Sequence, residues 1–466
     1  MSAEQTFHQA VKTTIKNTEL QARTMAAAIQ QQHAMNGAIK QFANLDLARN
    51  RAKYIKWRVN ENLDKYLIDF EANLMRKGGK VIWADTAQTA LNEIEQIIKK
   101  NQAKQIIKSK SSICNEIGLN EFIRSKGYQL FESDLGDFII DGFNEKPFHT
   151  VLPAVHKSKQ EINNLLNQKI SSSLDIEAHE MMGDVREYMR SNFFKADIGI
   201  TGANFLIAEN GMACITENEG NVRLTSTFAK THIIVAGIDK MLPTLQDVDL
   251  FFSLLGSYGT GQKLTTYNSI IGPKNADEHD GPIEFIVILV DNGRSNILAS
   301  HDQREALSCI KCGACHFVCP VFTNIGGHAY GSNYTGPIGA ITEPLAHGLK
   351  ENIHLSNAST SCGKCNDVCP VKIEISNQII RNRRDAVNLG GESTSEKLAW
   401  YTWTKAMLSR KNLNRSASLK NFTLDNMDEK FESLLNTYVK KAPQFVPFNA
   451  PKVNSSKMQI PKLNKV

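Results

Sequence analysis

No stretch of the 466-residue chain strings together the ~18 apolar residues a membrane-crossing helix needs, so none is expected. The start, Met1 to Lys16, is polar and lacks the apolar core of a secretory signal. Histidines are scattered, and none falls in an HExxH or other close metal pattern. The glycine-rich Gly256–Gln262, expected to come after a helix, is followed by no Gly-Lys-Ser/Thr, so it is not a Walker loop. Nor does it link a strand to a helix as a dinucleotide fingerprint must. Nicotinamide and flavin motifs are likewise missing. Cysteine is scarce, at nine residues, and Cys114 and Cys214 stand alone as small apolar side chains. The other seven are concentrated in two short stretches.

The first stretch reads Cys309-Ile310-Lys311-Cys312-Gly313-Ala314-Cys315-His316-Phe317-Val318-Cys319-Pro320. This is C-x2-C-x2-C-x3-C-P, the spacing of bacterial iron–sulfur ferredoxins. Three thiolates two residues apart let a curled loop wrap three corners of a cubane. The fourth points away and ligates the other cluster, while the proline turns the chain out of the loop. The second stretch, Cys362-Gly363-Lys364-Cys365-Asn366-Asp367-Val368-Cys369-Pro370, lacks its first member, because Ser359 stands there. Crossing the two motifs assigns Cys309, Cys312, Cys315 and Cys369 to one [4Fe-4S] cluster. The second [4Fe-4S] cluster then has Cys319, Cys362 and Cys365. Zinc usually takes two C-x2-C knuckles, and four cysteines in eleven residues suit a cubane better. A disulfide framework suits small secreted domains, not this chain. Unprotected cysteines fit a reducing cytoplasm.

The remaining pattern predicts two or three domains: an N-terminal helical region over 1–79, an α/β domain over 80–300, a ferredoxin-type domain over 301–385, and a C-terminal helical region over 386–466 with a basic, proline-containing tail. Residues 3–77 read as helix, with Val59, Leu63, Tyr66, Leu67, Phe70 and Leu74 on one apolar face and Gly78-Gly79 as the stop. Its Gln- and Ala-rich part, 3–40, is expected to pack on the main body or on a partner. Strands are predicted at 80–84, 105–108, 128–132 and 149–153, alternating with helices over 86–100, 111–126 and from 158. That alternation is the mark of parallel βαβ units. A long helix over 176–194 precedes an Asn210-Gly211 hairpin between 205–209 and 212–217. Residues 231–236 and 284–290 read as buried strands. The long gap between Cys319 and Cys362 points to an all-α helical ferredoxin. Residues 386–440 read as helical, and the tail beyond as extended.

Three loops outside the cysteines invite a ligand. Lys108-Ser109-Lys110-Ser111-Ser112 leaves a strand for a helix, where an anion could sit; a serine N-cap explains it as well. Residues 201–204 and 217–221 flank the hairpin and either line a cleft or are plain turns. His316, inside the first cysteine loop, either tunes a cluster or simply packs. Charge is uneven: residues 401–466 carry twelve Lys and Arg against four Asp and Glu, in a chain of net charge +6. Such a tail suits a solvated surface, an acidic partner, a membrane surface or nucleic acid. Aromatic–basic interleaving is missing elsewhere, and no nucleic acid is expected as a partner.

Four segments of the α/β stretch carry a family resemblance: KSKSSICNEIGLNEF (108–122), ESDLGDFII (132–140), ADIGITGANFLIAENGMACITENEGN (196–221) and THIIVAGIDK (231–240). They resemble the LUD domain. Followed by CIKCGACHFVCP and CGKCNDVCPVKI, residues 60–385 are similar to the lactate utilization protein B family. The resemblance implies a CoA-transferase-like α/β fold joined to a helical ferredoxin. It implies electron transfer within a cytoplasmic complex oxidising L-lactate to pyruvate, rather than catalysis by this chain alone. The implied partners are a cysteine-rich iron–sulfur subunit and a second LUD protein. Two other readings stand beside it: a stand-alone LUD-domain enzyme binding an acyl or phosphorylated ligand, and an iron–sulfur protein that binds nucleic acid.

Overall fold

The computed structural model describes residues 2–174, 177–275, 277–390 and 394–412. The chain divides into two units, residues 1–391 and 392–466. Of the second, the described part is mainly the helix Thr394–Met407, where Trp400 and Trp403 meet edge to face at 5.7 Å. The helix expected up to 440 and the extended tail lie, from 413 onward, outside the described residues.

In the first unit the stretch expected as one helix is four: α1 (Ala3–Thr14), α2 (Thr18–Ala38), α3 (Leu45–Glu61) and α4 (Leu63–Arg76). Asparagines make the breaks. The side chains of Asn17 and Asn44 accept the N–H groups of Leu20 and Leu47 at 3.0 and 2.9 Å, restarting a helix each time. Asn62 separates α3 from α4. The apolar face from Val59 to Leu74 is buried as its spacing predicts.

Among the described residues ten strands follow: β1 (Lys80–Ala84), β2 (Gln105–Lys108), β3 (Gln129–Glu132), β4 (Ile198–Gly202), β5 (Phe205–Ile207), β6 (Met212–Glu217), β7 (Thr231–Gly237), β8 (Met241–Leu242), β9 (Tyr267–Ile271) and β10 (Glu284–Val290). Six form an all-parallel sheet in the order β1-β10-β7-β4-β2-β3. The others form a small mixed sheet, β8-β5-β6-β9, whose β5–β6 pair is the expected Asn-Gly hairpin. Side chains alternate across the large sheet. Ile198, Ile200, Ile233, Val235, Ile286 and Ile288 share one core with the helix Ala87–Lys100. Ile234, Ala236, Val287 and Leu289 face α3 and α4. Both faces are covered, so β7 and β10 read as unbroken apolar runs.

Three expectations are corrected. Residues 149–153 form a turn, not a strand: the Nδ1 of His149 accepts the N–H groups of Val151 and Leu152, both at 3.1 Å, and curls the chain around the ring. The helix over 111–126 is two, Ser112–Glu116 and Leu119–Ser125, parted where Gly118 turns left-handed at φ +71°. Gly256 and Gly259 lie inside the helix Val248–Gly259 rather than after it. Three strands, β4, β8 and β9, were not anticipated.

The cysteine-bearing region is helical. Short helices, Ala314–Phe317, Pro320–Ile325 and Lys364–Val368, follow the loops, and longer ones, Gly336–His347, Leu349–Asn357 and Ile375–Asn388, pack around them. The architecture is a parallel-sheet α/β region followed by an all-α region. Among the described residues, no helix is long and apolar enough to cross a membrane.

Candidate functional site

The two cysteine loops repeat one backbone program fifty residues apart. In the first, Lys311 is left-handed at φ +59° and its N–H reaches the Sγ of Cys309 at 3.4 Å. Gly313, at φ +72°, then opens the helix carrying Cys315. In the second, Ser361 is left-handed at φ +55° and its N–H reaches the Oγ of Ser359 at 3.2 Å. Gly363, at φ +81°, opens the helix carrying Cys365. Ser359 therefore stands where Cys309 stands, hydroxyl in place of thiol. At both glycines a Cβ would strain the turn. Pro320 and Pro370 follow the last cysteines, Cys319 and Cys369.

The fold gathers the seven sulfurs as two groups. Cys309, Cys312, Cys315 and Cys369 line one cavity with Ile310, Ile338, Val371 and Ile373. Cys319, Cys362 and Cys365 lie within electrostatic reach of one another. All nine cysteines are free thiols. The groups differ in their access to water. In the first, Cys312, Cys315 and Cys369 are at most 8% exposed and Cys309 is half-buried; in the second, Cys319 and Cys365 are half-buried and Cys362 is open to solvent. Burial pushes the Cys369 thiol up to about 12 and that of Cys365 to about 11. Cys362 instead falls below its ordinary value, because the Lys364 N–H stabilises its thiolate. Metal ligation takes these groups as thiolates, so a cluster bound here would displace their protons. Four convergent sulfurs in an apolar cavity suit a cubane, and the donor set fits the group the spacing predicts.

Sequence reading missed what holds the loops. The Gln-rich α2 and the start of α3 clasp them through backbone carbonyls. The amide of Gln32 donates to Phe317 O at 2.9 Å, while that of Gln31 ties α2 to the helix Val248–Gly259 through Gly259 O at 2.7 Å. The Arg49 guanidinium reaches Asp367 O and Cys369 O, both at 2.7 Å, and Lys53 reaches Lys372 O at 3.3 Å. The abundance of glutamine was the one visible signal; partners some 285 to 320 positions away leave none. His149, expected in a strand, stacks on Phe317 at 4.2 Å, and its Nε2 lies 3.3 Å from Gly313 O. His316 is fully buried and packs between Phe322 and His149, and burial lowers its pKa to about 4. Cys114 and Cys214 are buried as expected.

The three loops singled out in the sequence converge. Ser109–Ser112, Gly202–Asn204 and Glu217–Glu219 all line one cleft of about 290 Å³ at the carboxyl ends of the parallel strands. Thr150, Lys311 and Tyr334 line both this cleft and the cysteine cavity. Lys108 does not serve it. That side chain is fully buried, with its Nζ 3.0 Å from Glu132 and 3.5 Å from Asp137. Ser111 caps the next helix, as the second reading of that loop held. Below the cleft Arg294 joins Glu116 and Asp239 at 2.7 Å each, tying the sheet to Tyr334. A further group, Glu145, His156 and His328, was invisible in sequence. Its glutamate already holds Lys157 at 2.6 Å, so the group carries its own cation.

Comparison with known proteins places these regions. Residues 67–290 match the LUD domain and residues 305–373 the 4Fe-4S dicluster domain. Lactate utilization protein B of Bacillus cytotoxicus is 41% identical over 363 residues, which cover 78% of this chain and 76% of that protein. The proteins of that name from Bacillus cereus and Bacillus anthracis are 40% identical over the same length. A crystal structure of a DUF162 family protein from Deinococcus radiodurans covers 49% of this chain and 98% of its own at 15% identity, with a TM-score of 0.29 that carries no argument. A match of this extent, through both the α/β region and the cysteine loops, shows that the chain belongs to the lactate utilization protein B family.

Proposed function

We propose that the chain is the iron–sulfur electron-transfer subunit of a cytoplasmic complex that oxidises L-lactate to pyruvate. The observation that carries this reading is the sorting of seven sulfurs into a set of four around one cavity, three of them buried, and a set of three, one of them open to solvent. Two [4Fe-4S] clusters fit those sets, with Cys309, Cys312, Cys315 and Cys369 holding the first and Cys319, Cys362 and Cys365 the second. One cluster enclosed in the body and one at the surface form a relay from interior to partner. Lactate enters through the names of the relatives. A cubane moves single electrons and cannot by itself take a hydride from a 2-hydroxy acid. The chain therefore works with partners: a cysteine-rich iron–sulfur subunit and a second LUD protein. The test is anaerobic co-purification with the products of neighbouring genes, followed by lactate-dependent dye reduction. Turnover is expected from the assembly and not from the pure chain. Robust turnover by the chain alone, or an assembly indifferent to lactate, overturns the reading.

A further inference from the structure

The cleft beside the four-sulfur cavity has the position and the unmet chemistry of a binding site. β2 leads outward to β3, whereas β4 leads the opposite way to β7. With right-handed crossovers the connecting segments then leave on opposite faces, and a crevice opens between β2 and β4. Ser109 and Lys110 after β2, and Ala203 and Asn204 after β4, line it. Ligands of open α/β sheets bind at such switch points.

Its polar groups are unequally satisfied. The acids have partners: Glu217 accepts the N–H groups of Val222 and Arg223 at 2.7 and 3.0 Å, and Glu219 accepts that of Leu135 at 3.1 Å. Among the cations, Arg294 is paired, Lys110 donates to Val151 O, and Lys311 lies 3.6 Å over the Tyr334 ring. Lys240 lines the cleft with no hydrogen bond or ion pair among the described residues. Burial disfavours its charge, Asp239 and Cys309 attract it only at a distance, and Lys311 and Arg294 repel it. The hydroxyl of Ser109, fully buried on the same wall, also lacks a partner. A half-buried ammonium left unpaired is costly unless an anion joins it. At about 290 Å³ the cleft approaches the roughly 300–1,000 Å³ typical of small-molecule and cofactor sites.

We propose that this cleft binds an organic anion, a carboxylate or a phosphate ester, whose acidic group pairs with Lys240 beside the four-sulfur cluster. The alternative role for Lys240 is to neutralise the charge of the cluster and nothing else, and the test separates the two. The anaerobic holoprotein is titrated calorimetrically with L-lactate, pyruvate and riboflavin 5′-phosphate, as wild type and as Lys240→Ala and Lys240→Arg. Saturable binding of at least one probe is expected, weakened about tenfold or more by alanine, the loss of one charged contact, and largely kept by arginine. Binding of lactate or pyruvate identifies a substrate carboxylate; binding of the flavin phosphate identifies a cofactor. Binding of none at ~10 mM, an affinity near the floor of specific recognition, overturns the proposal. So does equal binding by Lys240→Ala, or a shift in cluster potential in that variant with binding unchanged. The inference rests on the electron-transfer reading, and iron content and dithionite reduction of the same samples keep the two apart. Reducible clusters with no probe bound sink only the cleft. Clusters that are missing or cannot be reduced sink the relay, whatever the titration shows.

Discussion

The two cysteine loops share their turns and differ in their surroundings. Each has a left-handed residue two places after its first ligand position, a left-handed glycine four places after, and a short helix beyond. The first loop closes on Ile310, Ile338 and Val371, and Cys312 and Cys315 are buried in the apolar core they share, against which Cys309 packs. The second leaves Cys362 in water and puts a serine in the first ligand position. Backbone conformation thus sets where ligands stand, and packing sets how firmly they hold. On the proposed assignment, a cubane held by four thiolates, three of them buried, would be shielded from oxidant and exchange. One held by three thiolates, with Cys362 in water, would offer an iron that solvent, a neighbouring group or a partner must cap.

The sharpest way to break this contrast is to remove one sulfur from each set. Cys315→Ser is expected to lose the four-thiolate cluster and to loosen the core around it. Iron should fall by about half from the about eight of two cubanes, with a clear drop in melting temperature. Cys362→Ser should lose iron from the three-thiolate site alone, with melting nearly unchanged. Iron analysis and calorimetry decide it, and equal destabilisation by the two changes would erase the distinction.

A smaller effect concerns air. After brief oxidation the three-thiolate cluster should convert to a three-iron form while the four-thiolate one persists, read by electron paramagnetic resonance. Ser359→Cys should suppress that conversion, because Ser361 already bonds the Ser359 Oγ as Lys311 bonds the Cys309 Sγ. Next in size is Arg49→Ala, which removes the charged bonds to Asp367 O and Cys369 O. A cost of about 2 kcal/mol in denaturant stability is expected from a charge-assisted bond of this kind, with iron retained. The smallest effect is Ser359→Ala, which should leave cluster content and conversion near wild type. A serine alkoxide is a poor iron ligand near neutral pH, and large cluster loss here would make it a ligand after all.

How far the sequence reached follows from range. β7 and β10 were legible because strands buried on both faces read as apolar runs. β4, also central, was not: Gly199, Thr201 and Gly202 interrupt its run, and Gly199 is needed because a Cβ there would sit 2.1 Å from the Thr225 carbonyl. The helix breaks before 77 rest on single asparagine caps inside an otherwise helical pattern. The cysteine spacing and the vacancy at Ser359 are local and could be read directly. The clasp by Gln32 and Arg49 and the meeting of three loops around one cleft are long-range and left no local pattern. Lys108 shows the converse risk: a basic residue in a promising loop points into a buried ion pair instead.

The clasp also has a consequence in time. Arg49 leaves the ribosome 320 residues before the Cys369 carbonyl it will hold. At about 5–20 residues per second that interval is on the order of tens of seconds. For that long the amphipathic helices near the amino terminus can cover the sheet but cannot grip the loops. The last-made part of the first unit is what fastens the first-made part. Delivery of iron and sulfide after synthesis would then complete a closure that translation leaves open, and a nascent chain starved of either should stay protease-sensitive near its beginning as well as at its cysteines.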